Sequence, residues 1–207
     1  MAGLRERQKE DRQASIARAA KAMFLDYGFE KTTIEGIAEA SGVSGVTVHN
    51  YYGTKSGILL ALVAENDRSL IARLNDELAS CPQDVTEVTV TFAKIIMEHA
   101  LMNLQKVIWR QVIAAVTANP DNSISKPYFD LDQELAQVLV LHMSRLQDAG
   151  TLPKSILPEN LGKALFHLQN ARFIQFVCSD QLKVEDVLRR IRNDLGALFA
   201  VQVAVSP

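Results

Sequence analysis

Apolar residues recur at three- and four-residue intervals along almost the whole chain, and no segment alternates as a half-buried strand would. That pattern confines the fold to an all-α architecture of about nine helices. The spacing predicts a first helix over 12–27, with Ile16, Ala20, Met23, Phe24 and Tyr27 on one face. Gly28 supplies a left-handed stop, after which Phe29 folds back onto Phe24. Thr32 with Glu35 has capping-box form and opens a short second helix to about Ala40. Ser41, Gly42 and Val43 make a tight turn, and Ser44 caps a third helix ending near Tyr52. Thr54 caps a long fourth helix over 55–78. Later helices fit 85–103, 105–118, 128–148, 158–178 and 184–203, with loops at 119–126 and 150–157.

Composition excludes several classes. No apolar run is long enough to span a bilayer, and no apolar stretch follows Arg5, Arg7 and Lys9 as a secretion signal requires. The expected setting is cytoplasmic. Cys81 and Cys178, the only two cysteines, stand far apart, and the four histidines form no ligand spacing with them, so no metal site is expected. A formal net charge of −2 makes no global case for nucleic acid. The local case is better. Residues 40–64 hold no Asp or Glu but include His49 and Lys55, and a face near phosphate must lack carboxylates even where its bases are few. An arm with Arg5, Arg7, Lys9 and Arg12 precedes it, partly offset by Glu6, Glu10 and Asp11.

Two helices that cross sharply need a small residue on the first and Gly in the turn. Ala38, Gly42 and Val48 meet that need, and Ile34, Ile37 and Val43 complete an apolar seam. The sequence from Ser15 to Leu62 then resembles the tetracycline-repressor (TetR) family. The resemblance rests on Phe24-Leu25-Asp26-Tyr27-Gly28-Phe29, Thr32-Thr33-Ile34, Ile37-Ala38, Gly42-Val43-Ser44, Thr47-Val48 and Tyr51-Tyr52-Gly53-Thr54-Lys55. It implies a homodimer that places two recognition helices in successive major grooves of a palindromic operator and releases DNA when a small molecule binds. By position it implies phosphate contacts from Thr33, Thr47, Tyr51 and Lys55, and base-facing or flanking places for Ser44, Gly45, Val46, His49 and Asn50. Val46 stands where the family often has Gly, and His49 where it often has Tyr, so the operator sequence is this chain's own. A Val46 side chain aimed at the groove would meet a thymine methyl, and Asn50 would suit adenine. The competing reading packs Val46 on a neighbouring helix.

The expected organisation is a helix-turn-helix domain with its arm over 1–54 and a ligand-binding and dimerisation domain over 55–207. In the second, Phe92, Ile96, His99, Trp109, His142, Phe166 and Phe173 are candidate pocket residues for a hydrophobic or aromatic effector. His99 and His142 interrupt apolar stripes, as core histidines satisfied by neighbours also do. Arg172 is expected to pair with Glu98, meet an anion, or snorkel to the surface. Leu161, Ala164, Leu165 and Leu168 form one stripe, and Leu188, Ile191, Leu195 and Leu198 another. Together they suggest a four-helix dimer interface, unless both pack only within the protomer. No cofactor is expected. No nucleophile, base and carboxylate set forms a recognisable motif, so an enzyme is not expected. A DNA-binding protein of the same fold without a small ligand is the main alternative, and an activator differs from a repressor only in operator placement.

Overall fold

The computed structural model describes residues 2–65, 67–118 and 125–205. Those residues form ten helices and no strand. They are α1 (Ala2–Tyr27), α2 (Ile34–Ser41), α3 (Gly45–Tyr52), α4 (Lys55–Glu65), α5 (Asp67–Ala79), α6 (Val85–Asn103), α7 (Lys106–Ala118), α8 (Lys126–Asp148), α9 (Pro158–Cys178) and α10 (Val184–Val205). The expected helix over 55–78 is described on either side of residue 66 as α4 and α5. Helix α1 starts at Ala2 and not near Arg12, because the charged arm contains no breaker after Gly3. Most of the expected loop over 119–126, including Pro120, lies outside the described residues.

The chain divides into two compact units, neither continuous in sequence: residues 1–67 with 107–131, and residues 68–106 with 132–207. In the first, α1 contributes Ile16, Ala20 and Phe24 to the interior, α2 contributes Ile37 and Ala38, α3 contributes Val48, and α4 contributes Ile58 and Leu59. Each large apolar side chain fully buried there contributes on the order of 1.5–3 kcal/mol. On the expected buried face of α1, Ile16, Ala20 and Phe24 are buried, Met23 is half-buried and Tyr27 is exposed.

In the second unit, α10 packs on α6 and α9. Its interior holds Leu74 and Leu78 from α5, Phe92, Ile95 and Met97 from α6, and Leu139 and Met143 from α8. Phe166, Phe173 and Phe176 from α9 and Ile191 and Leu195 from α10 complete it. Ion pairs stitch its rim: Arg73 Nη2 donates to Glu98 at 2.7 Å, and Arg192 forks onto Glu87 from α10 to α6. Helix α9 approaches α8 closely at Gly162, where an added Cβ would stand 2.6 Å from the Val140 backbone.

Candidate nucleic-acid interface

Thr33, one residue later than expected, caps α2: its hydroxyl accepts from the Gly36 amide at 3.0 Å. Thr32 is buried instead, and its hydroxyl donates to the carbonyls of Met23 and Gly28 at 3.2 and 2.8 Å, tying the end of α1 to the start of α2. With the cap moved on, Gly36 and not Glu35 occupies the third position, and the expected capping box is not formed. The stop after α1 has the expected form, since Gly28 has φ 80° and the Phe24 and Phe29 rings lie 5.4 Å apart.

Gly42 at φ 70° makes the turn from α2 to α3, and Val43 N–H returns to the Ala38 carbonyl at 3.0 Å. Only a residue without Cβ adopts that left-handed backbone cheaply. Ser44 then caps α3, accepting from the Thr47 amide at 3.2 Å, and the Ser44 and Thr47 hydroxyls bond each other at 2.9 Å. Two further bonds fix this pair of helices to α1. Ser15 Oγ donates to the Ser41 carbonyl at 3.2 Å, and the Tyr52 hydroxyl donates to the Gln13 carbonyl at 3.3 Å.

With Val48 fully buried, the opposite face of α3 presents Val46, His49 and Asn50 to solvent. Val46 is 70% exposed, so the reading in which it packs on a neighbouring helix does not hold within this chain. His49 Nδ1 bonds the Gly53 carbonyl at the end of its own helix. A carbonyl only accepts, so Nδ1 carries the hydrogen of that bond, and in the neutral ring Nε2 is the acceptor. Ser44 and Thr33 are exposed at the two helix N-termini, while Gly45, Thr47 and Tyr51 are half-buried at the flank of the same surface.

Lys55 sits differently from a free phosphate ligand. Its ammonium donates to the carbonyls of Phe29, Glu30 and Thr32 at 2.6, 3.3 and 3.0 Å, and lies 4.4 Å from the Phe29 ring centroid. Three donors meet three carbonyls, so this lysine clamps α4 to the turn between α1 and α2.

The second unit's candidates divide. Phe92 and Phe166 are buried with ring centroids 6.4 Å apart, Phe173 is buried, Ile96 is 9% exposed and His99 is half-buried. His142 is buried with Arg145 Nη1 at 3.5 Å from its Nε2; burial, then the Arg145 charge, hold it below the usual imidazole value. Trp109 belongs to the first unit. An open groove of about 590 Å³ in the second unit is lined by Val85, Leu152, Ile156, Leu161 and Phe199 among others, and by none of these candidates. Arg172 does not pair with Glu98, which bonds Arg73. It forks onto Asp194 at 2.7 and 2.6 Å. Sequence spacing gave no sign of that partner on another helix.

Of the dimer stripes, Leu165, Ile191 and Leu195 are used inside the unit. Ala164 and Leu198 are exposed, and Leu161, Leu168 and Leu188 half-buried, so a face of small and apolar residues stays open along α9 and α10.

Residues 16–62 match the family model described as bacterial regulatory proteins, tetR family. Over those residues the chain is similar to that family. A curated relative, the HTH-type transcriptional regulator TcmR of Streptomyces glaucescens, is 33% identical over 72 residues, 35% of this chain. The match spans only 32% of that relative's length. Among solved structures, the chain resembles Thermus thermophilus FadR, a TetR-family transcriptional repressor in complex with lauroyl-CoA. The two share a TM-score of 0.70 and 22% identity, over 90% of this chain and 93% of that one. A TetR-family transcriptional regulator of Pectobacterium atrosepticum gives 0.70 at 16% identity, over 92% and 93%. A protein of Saccharomonospora viridis in complex with choline gives 0.62 at 20% identity, over 87% and 93%. These likenesses show the fold. No described helix is long and apolar enough to cross a membrane.

Proposed function

We propose that this chain is a ligand-responsive transcriptional repressor that binds a palindromic operator as a homodimer. One observation carries the reading. The outward face of α3 exposes an apolar side chain, an oriented imidazole and a carboxamide together. Nothing acidic lies between residues 40 and 64 to repel phosphate. Val46, His49 and Asn50 face the bases, with Ser44, Gly45 and Thr47 at the amide-rich N-terminus of α3 against the backbone. Thr33 and Tyr51 flank them, and Lys55 holds the turn beside them.

The open strip along α9 and α10 is the surface on which a second copy would build the four-helix interface. The effector would lie among Phe92, Ile96, His99, Phe166 and Phe173, and must bind the DNA-incompetent form more tightly. Coupling of about 1–3 kcal/mol would change operator affinity roughly 5- to 150-fold. Selection of operators from a random duplex library tests this. The expected outcome is a palindromic consensus with half-sites about one helical turn apart, whose binding weakens in Asn50→Ala. Recovery of no consensus would overturn the reading. A DNA binder of this fold without a ligand is the second reading, favoured by the dense aromatic interior around Phe92 and Phe166.

A further inference from the structure

Among the described residues, one buried side-chain polar atom lacks a hydrogen-bond partner: Oε1 of Gln169. The residue is 1% exposed and lies on the buried face of α9 between Phe166 and Phe173. Helix α6 runs beside α9 in the same direction. The Phe92 ring meets Phe166, and Lys106, just past the end of α6, donates to the carbonyls of Ser179 and Leu182 past the end of α9. Carried along, that register sets Gln169 level with Ile95 and Ile96, and Phe173 level with His99.

A carbonyl oxygen sealed without a partner loses its hydration and gains no bond in return. A Met or Leu side chain of similar length would fill the place without that cost. We propose that Gln169 is the polar anchor of the effector site, and that the effector is an apolar molecule carrying an O–H or N–H donor that reaches Oε1. The inference rests on the ligand-responsive reading above and narrows the effector's chemistry. The aromatic and branched side chains around the amide take the apolar body, and the amide fixes its orientation. Molecules with acceptors alone, such as ethers, leave Oε1 as unpaired as before.

The test uses the full chain, wild type and Gln169→Met, with para-alkylphenols and their methyl ethers, pairs that differ by a single donor. Calorimetric titration of the wild type is expected to show the phenol binding about tenfold tighter than its ether or better. Gln169→Met is expected to lose that preference. In the ligand-free state the variant should melt at or above the wild-type temperature. Equal binding of the two compounds, or binding of neither, overturns the proposal. So does a lower melting temperature for ligand-free Gln169→Met, which would make the amide a structural group. Operator selection is indifferent to Gln169, so the loss of this proposal is distinguishable from the loss of the regulator reading.

Discussion

At the scale of single residues, the informative side chains are those whose environment opposes their chemistry. Val46 is an apolar group left 70% exposed on α3. Val46→Gly is expected to relax preference for one T·A pair by several-fold and leave other operator positions unchanged, read by competition binding across single-base operator variants. Asp132, half-buried on α8, is the reverse case, since burial pushes its carboxyl up to about 7. Between the ordinary carboxylate value and that point the folded state holds a proton that the unfolded chain has released. Its contribution to stability is therefore full at low pH and is lost as pH rises through about 7. Asp132→Asn should flatten that part of a melting-temperature profile and raise stability above pH 7; an unchanged profile would remove Asp132 from the account. Little of this was legible beforehand. Thr32 and Thr33 are adjacent and chemically alike, and only the nearby carbonyls of Met23 and Gly28 decide which of them caps α2. Arg172 found Asp194 on another helix, a choice made by packing and not by spacing.

At the scale of elements, periodicity and punctuation placed the helices and most of their ends, but not the start of α1 or the cap of α2. The glycines at 28 and 42 end their helices in the left-handed backbone that their positions predict, and Ser44 and Asp84 cap as their chemistry allows. Close approaches between elements were not visible. Gly162 reads as a mild flaw inside α9 until Val140 is seen beneath it. Gly162→Ala would drive a methyl into backbone that cannot yield as a side chain would. It is expected to cost about 1–3 kcal/mol or more by thermal melting, in spite of alanine's better helix propensity. Lys55 makes a similar point. Because its donors are on three carbonyls, Lys55→Met should lower stability by about 1–3 kcal/mol and weaken operator binding through a loosened turn. The slope of log affinity against log salt should stay unchanged; a slope smaller by about one would make Lys55 a phosphate ligand.

At the scale of the molecule, the exposed face of α3 belongs to one unit and the sealed Gln169 oxygen to the other, and the chain crosses between units three times. The all-helical layout was legible because every helix carries its own apolar stripe. The division into units was not, because α7 and the start of α8 return to the first unit from the far side of α6. The outward face of α3 was legible only in part, since exposure of Val46 depends on which face of α3 the neighbouring helices cover. The most direct test of the central claim is the stoichiometry and sequence preference of the full chain on DNA. Random-library selection, followed by mass measurement of the complex on the selected duplex, should give a palindrome carrying one dimer or a pair of dimers. Asn50→Ala should weaken binding most at one symmetric base position. A complex of single chains on a duplex without symmetry, or affinity that depends on salt and not on sequence, would contradict it.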